Sequence, residues 1–264
     1  MLSPSEETLF IPLWCRALAS TKSSLFCDPK AVELVHTIDY DFSLIDARLG
    51  PIIRLASVAR ARLCDSILKA YIAEHPSASV VDLGVGLDTG FYRVDNGLIE
   101  WYDLDLPNVI ALRKQLLAET ERVHSIAKSL LDISWCDDLI NMDDGVFVLA
   151  GAVLGYFSAI ELKPFFSMLA DRLPEAQMAF TAYSPLGVSL INKSLQRVGM
   201  MSAMMKWALE DAHDLTRWDD RISIIDEFSF FQDIPYDRAW GDETIRKIRS
   251  IDEHKGMRVI HVRL

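Results

Sequence analysis

The chain has 264 residues, half of them apolar, with a formal net charge of -11, which is enough for one large α/β domain and a sizeable core. The acidic balance excludes a nonspecific nucleic-acid binder, which needs a basic footprint, and Cys15, Cys27, Cys64 and Cys136 lack the paired spacing of a zinc site or a disulfide framework, so no metal is expected. No apolar run reaches membrane length and no basic region leads into a signal core, so a cytoplasmic, soluble protein without a membrane partner is expected.

Glu6 to Ala19 carries Leu9, Leu13 and Ala17 at helical spacing and predicts an amphipathic helix that Pro12 bends or starts. Asp28-Pro29 predicts a capped helix through Val35. Tyr40 and Phe42 then either pack in a lid or face a substrate. A long helix follows from Pro51 to Ala73, with Pro51 in its first turn and Ile52, Leu55, Ala59, Leu63, Ile67 and Ala70 as its apolar stripe.

The run SVVDLG from Ser79 reads as a strand buried on both faces, and Gly84 and Gly86 at its end let the backbone approach a ligand. Leu98 to Tyr102 predicts a second strand, Pro107 to about Leu117 a helix, and Val123 to Ala127 a third strand. Gly145 to Ala150 is a fourth strand, Ile160 to Leu173 an amphipathic helix, and Ala176 to Tyr183 a fifth strand. Alternation at these lengths predicts a doubly wound α/β sheet with right-handed crossovers. Beyond Pro185 the pattern loosens: Leu186 to Leu209 holds Met200, Met201, Met204 and Met205, which either fill gaps between helices or line an adaptable pocket. Ile222 to Phe231 and the alternating Met257 to Leu264 predict an antiparallel pair of strands at the carboxyl end.

The chemistry converges on the first strand. Acids about twenty residues beyond the first glycine lie where such sheets hold a ribose. Asp103 and Asp105 share one side of the strand end by the two-residue period, with Asp105 the favoured ligand. Asp82 lies inside the strand, where burial demands backbone donors or a ligand ammonium. An arginine from outside the sheet, Arg62, is placed to clamp a carboxylate. A dinucleotide fingerprint would want glycine at position 89, which is Thr89, and this disfavours a dehydrogenase.

The segments EETLFIPLWCRALAS, VVDLGVGLDTGFYRVDNGLIEWYDLDLPNVIALRK, AKSLLDISW and FVLAGAVLGYF resemble the S-adenosylmethionine-dependent O-methyltransferases of the leucine carboxyl methyltransferase family, in its bacterial branch related to the tetracenomycin polyketide methyltransferases. The likeness runs from about Glu6 to Tyr183, with LGxGxDTxxxR matched from Leu83 to Arg93 and DLDLP intact. It implies a mostly parallel seven-stranded class I methyltransferase sheet with an antiparallel carboxyl-terminal hairpin. Residues 1–75 would supply helices, a lid and the contact to the cofactor carboxylate; 76–264 would be the Rossmann-like core, with a helical lid at about 186–215.

The cofactor so implied is S-adenosyl-L-methionine. Arg62 resembles the arginine that binds its carboxylate, Gly84 and Gly86 its glycine loop, and Asp105 its ribose acid. Asp132, with Leu131 beside it, resembles the acid that meets the adenine amino group, and Tyr156 the aromatic where cofactor and acceptor meet. The family commonly has glutamate where this chain has Gly151, a bulky apolar residue at Gly155 and, in the bacterial branch, arginine at Gly90. Tyr40, Tyr183, His213 and Arg93 are the further candidates for acceptor contact. The expected reaction is methyl transfer to a carboxylate or phenolic oxygen of an apolar or aromatic small molecule by a monomer or homodimer. A divergent member with N-methylation, another reaction or a non-catalytic regulatory role is the alternative.

Overall fold

A computed structural model describes residues 6–22, 25–235 and 240–264. The chain starts with a 3-10 turn over Glu6–Leu9, which leads into α1 (Phe10–Lys22). Helix α2 (Pro29–Thr37) begins where the Asp28 carboxylate accepts from the Ala31 N–H, with Pro29 in the first turn. This is the capping that the Asp-Pro pair predicts. After α3 (Ser43–Arg48), the long α4 (Pro51–Glu74) crosses one face of the sheet. There Tyr71 packs against Phe147 with the rings tilted and their centroids 4.9 Å apart, and donates to the Val146 carbonyl at 3.2 Å.

Strand β1 (Ser79–Leu83) is followed by α5 (Gly90–Val94), β2 (Glu100–Asp105), α6 (Pro107–Leu116) and β3 (Val123–Ala127). Then come β4 (Val146–Ala150), α7 (Ala159–Arg172), β5 (Gln177–Tyr183) and α8 (Pro185–Arg197). The remainder is α9 (Asp214–Trp218), β6 (Ser223–Ser229), α10 (Asp242–Glu253) and β7 (Met257–Arg263). Among the described residues no helix is long and apolar enough to cross a membrane.

These strands form one sheet in the order β3-β2-β1-β4-β5-β7-β6. The pairs among β1 to β5 are parallel, and β7 runs antiparallel to both β5 and β6. This is the seven-stranded mixed sheet that the resemblance implies. Every residue of β1 and β4 is buried, as continuous apolar runs covered on both faces require. The chain leaves β1 toward β2 on one side and returns to β4 on the other, so a crevice opens beyond the carboxyl ends of these two strands.

The structure shifts the bounds of β2 and adds four helices, α3, α5, α9 and α10, to those predicted. Strand β2 starts at Glu100 instead of Leu98 because the Asn96 side chain accepts from the N–H groups of Leu98 and Ile99, at 2.8 and 3.0 Å. That turn removes residues 96–98 from the ladder. Asp103 and Asp105 consequently lie within the strand. Helices α9 and α10 escape the sequence pattern because α9 is one short turn and α10 buries little more than Ile248 and Ile251.

Asp103 is tied into the fold itself. Its carboxylate receives Arg113 Nε and Nη2 at 2.6 and 2.9 Å and Trp101 Nε1 at 2.9 Å. Arg113, 3% exposed, also donates to the carbonyls of Gly86 and Asp88, at 3.3 and 2.6 Å. One guanidinium thus fixes α6 to β2 and to the glycine loop. Removing one member of a buried, hydrogen-bonded pair leaves an uncompensated charge. Arg113→Met is expected to lower the unfolding free energy by about 3–5 kcal/mol in urea titrations, and a loss below about 1 kcal/mol, the range of an exposed pair, would contradict this role.

Candidate active site

A cavity of about 400 Å³ opens at the carboxyl edge of β1, β2 and β4, within the size range of small-molecule sites. Its floor is the turn after β1. Gly84 has φ +65°, and a Cβ on it would lie 2.5 Å from Val153 Cγ2; both the left-handed backbone and the packing of Val153 demand glycine. Gly86, at φ +52°, sits where a Cβ would come within 3.2 Å of Leu9 Cβ, so its bareness lets the amino-terminal turn close over the crevice.

Asp105 ends β2 at the cavity wall. One carboxylate oxygen accepts from the Gly86 N–H at 2.8 Å and the other from the Leu106 N–H at 2.7 Å. Burial outweighs these two donors and raises its pKa above the ordinary carboxylate value. The bonds fix the orientation of the group, and the remaining lone pairs can accept from a vicinal diol. Asp82 also lines the cavity and is 7% exposed. Among the described residues its carboxyl forms no hydrogen bond or ion pair. Burial, with the nearby charges of Asp88 and Asp103, pushes its pKa well above the usual value against the pull of Arg113 and Arg93. A buried, unpaired carboxyl at a cavity floor suits a cationic ligand group.

On the opposite wall Ile53, Ser57 and Arg60 of α4 face the cavity, at spacings of four and three that define one helix face. Arg60 Nε lies 3.9 Å from the position a Cβ on Gly151 would take. Arg62, two residues on, is about 200° further round the helix. It donates to the Leu25 carbonyl at 2.6 Å and does not line the cavity. Arg60, and not the expected Arg62, is thus the α4 arginine that lines the cavity.

Six other sequence candidates are directed elsewhere by their packing. Asp103 is held by Arg113 and Trp101 as described above. Tyr40 stacks on Phe10 with ring centroids 4.1 Å apart, in the amino-terminal core. Asp132 is exposed and caps the 3-10 turn Ile133–Asp138, and Leu131 packs against the main core; Ser129 and Leu130, one turn earlier, line the cavity instead. Arg93 is the centre of a charge cluster. It bonds both oxygens of Asp65 at 2.7 and 2.9 Å, Asp28 at 3.0 Å, Asp88 at 3.1 Å and the Thr89 hydroxyl at 2.8 Å. His213 pairs with Asp211 at 3.1 Å on the surface.

Arg16 of α1 joins the cluster, donating to Asp28 at 3.0 Å and to the Leu87 carbonyl at 2.8 Å and pairing with Asp88 at 3.2 Å. Asp88 lines the cavity; burial disfavours its charge, but Arg16, Arg93 and Arg60 outweigh burial and hold its carboxyl well below the usual range. Gly90 lies off the cavity, where a Cβ would meet the ring of Trp101 at 3.2 Å. Trp101 fills the room an arginine there would need, so this departure from the family does not open the ligand site. Gly151 does line the cavity.

The far end is built by Tyr156, Tyr183, Ile191, Ser194, Leu195 and Met205. Tyr156 is hydrogen-bonded to Thr8, and burial pushes its hydroxyl above the usual value against that bond. Of the three tyrosines expected from the sequence near the acceptor, Tyr156 and Tyr183 thus share the cavity with the glycine loop and Asp105, and Tyr40 does not. Arg60 and Arg16 have no assigned role in the sequence reading, and Met205 is there one of four methionines that either fill gaps or line a pocket. For Arg60 the available signal was its four-and-three spacing from Ile53 and Ser57.

The leucine carboxyl methyltransferase family model matches residues 10–158. The chain is 29% identical over 216 residues to the tetracenomycin polyketide synthesis O-methyltransferase TcmP of Streptomyces glaucescens, an alignment covering 81% of this chain and 78% of that one. It is 24% identical over 234 residues to the S-adenosyl-L-methionine-dependent methyltransferase dpfgK of Gibberella zeae, again covering 81% and 78%. Among solved structures, a DUF574 family protein from Streptomyces avermitilis superposes with a TM-score of 0.60 at 16% identity, over 99% of both chains. The plantazolicin methyltransferase BamL, solved with a triazolic desmethylPZN analog and SAH, superposes with a TM-score of 0.54 at 12% identity over 98% of both; likenesses at such identities show the fold. The family match spans more than half of the sequence, and the chain belongs to the leucine carboxyl methyltransferase family of S-adenosylmethionine-dependent methyltransferases.

Proposed function

We propose that the protein methylates the phenolic hydroxyl of an apolar aromatic small molecule. The observation that carries this reading is the single cavity with two chemically distinct ends: acids and backbone donors at the glycine loop, and two tyrosines among apolar side chains at the other. S-adenosylmethionine supplies a methyl group already activated on a sulfonium, which leaves the protein mainly the task of alignment in a dry site.

The residues present fit that cofactor. Asp105, oriented by two backbone donors, accepts from the ribose hydroxyls, and the neutral or charged Asp82 carboxyl meets the ammonium. Arg60 takes the carboxylate, and Ser129 and Leu130 flank the base. With Gly151 in place of an acid, Arg60 keeps its charge for the ligand.

A phenol is favoured over a carboxylate by the charges that remain. Arg16 and Lys128 also line the cavity, but Arg16 pairs with Asp28 and Asp88 and Lys128 with Asp138. With Arg60 engaged by the cofactor, no cation among the described lining residues is left for an acceptor carboxylate. The tyrosine end carries no histidine or lysine among its described lining residues. An acceptor whose own acidity resembles a phenol's, near pH 10, needs less help from a general base than an alcohol does. Tyr156 and Tyr183, as neutral hydroxyls, can hold its oxygen by hydrogen bonds.

Incubation with S-adenosylmethionine and a matched panel of naphthols, naphthoic acids and naphthylamines is expected to give methyl ethers; esters or N-methyl products alone would overturn the phenol reading. Arg60→Met should weaken binding of S-adenosylhomocysteine by about 1.5–3 kcal/mol, the range for a hydrogen bond to a charged group, while Arg62→Met leaves it within about twofold; calorimetric titration of both variants decides between them. The raised pKa of Asp82 gives a proton linkage. An ammonium lowers that pKa on binding, so a proton is released where the pH lies between the lowered and the raised value, and affinity climbs across that window as the pH rises. Titration in buffers of different ionisation enthalpy should show this release in the native protein and its loss in Asp82→Asn.

A further inference from the structure

Among the side chains that line the tyrosine end of the cavity, Met205 is the longest unbranched one. Met205 lines the cavity and is 7% exposed. A Cβ on Gly155 would stand 2.9 Å from its Sδ, 3.3 Å from its Cγ and 3.5 Å from its Cε. Any side chain at position 155 would therefore compete with Met205 for the same space.

The backbone around Met205 is fixed at several points. The Asn192 amide of α8 donates to the Met205 carbonyl at 3.0 Å and accepts from the Met205 N–H at 2.8 Å. On the next two residues, the N–H groups of Lys206 and Trp207 donate to the Gly155 carbonyl at 2.7 and 3.2 Å. The Leu209 N–H donates to the carbonyl of Tyr183 at 2.9 Å, and Trp207 stacks against Phe180 with centroids 6.2 Å apart. The main chain is pinned while the thioether keeps three rotatable bonds, the combination that lets methionine adapt to what it touches.

The neighbouring methionines serve other purposes. Met200 is buried in the amino-terminal core, Met201 is 68% exposed, and the Met204 sulfur meets the Gln196 amide at the surface. Only Met205 of this group reaches the cavity.

We infer that Met205 is a specificity-determining residue: its thioether is the movable end wall of the acceptor chamber, admitted by Gly155 and aimed by Asn192, and it limits the length of the aromatic acceptor. The inference rests on the reading of the tyrosine end as the acceptor chamber. Shortening the wall should favour a longer ring system, because filling or emptying apolar space of this size discriminates by roughly 10- to 200-fold.

The test is direct binding, without turnover, in saturating S-adenosylhomocysteine. Affinities for 2-naphthol and 9-phenanthrol are measured by calorimetry for the native protein, Met205→Ala, Met205→Val, Gly155→Ala and the double variant Gly155→Ala/Met205→Ala. In Met205→Ala, with Met205→Val as the better-packed second variant, the phenanthrol-to-naphthol affinity ratio should rise at least about tenfold while S-adenosylhomocysteine affinity stays within about twofold. Gly155→Ala should shift the ratio by displacing Met205 and should have no further effect once Met205 is alanine. A purely structural methionine would weaken both phenols and S-adenosylhomocysteine together, and an unchanged ratio in folded variants that bind both probes overturns the inference. If S-adenosylhomocysteine binds but neither phenol binds any variant, the chamber itself has been misread, and the inference falls with it.

Discussion

The site depends on a lattice of buried charge between the amino-terminal helices and the loop after the first strand. Asp28, fully buried, caps α2 and at the same time receives Arg16, Arg93 and the Thr89 hydroxyl. Arg93 passes the connection to Asp65 on α4 and to Asp88. Such pairs are costly to bury and worthwhile only when nearly every donor finds an acceptor, a condition these residues meet. The result is that α1, α2, α4 and the glycine loop share one register, and the cavity has a fixed roof. Arg113 performs the same service on the other side, holding Asp103 and the carbonyls of Gly86 and Asp88 together.

Much of the sheet was legible because its signals are local. Continuous apolar runs with glycine at their ends mark β1 and β4, and prolines in first turns mark α2, α4 and α6. What escaped depends on partners distant in sequence. Asp103 and Asp105 have the same strand period, and only Arg113, ten residues further in a helix folded back across the strand, separates a structural acid from one facing the cavity. Arg60 and Arg62 look alike on paper, but a helix turns nearly half a circle less than a full turn between them and sends one to the cavity and the other to the Leu25 carbonyl. The turn after β3 likewise brings Ser129 and Leu130 to the cavity and leaves Asp132 to cap a 3-10 turn.

The departures from the family at Gly90, Gly151 and Gly155 have different physical standing. Gly90 is compensated by Trp101 inside the fold, away from any ligand. Gly151 leaves a guanidinium without the acid the family commonly supplies. Gly155 makes room for a side chain from a segment more than forty residues later in the chain. Equal changes on paper, each to glycine, thus act respectively on packing, on charge and on the outline of the cavity.

The placement of Asp88, Thr89 and Arg93 changes what the DTxxxR run communicates. Thr89 and Arg93 lie outside the cavity, and Asp88 is already claimed by two guanidiniums. A chain bearing this run announces that its first helices are bolted to the sheet, which is information about assembly. On the proposed reading the outline of the acceptor end rests on sparser characters, the single residues at 155 and 205 with no contiguous pattern, so a difference there would not be visible in the loud motif.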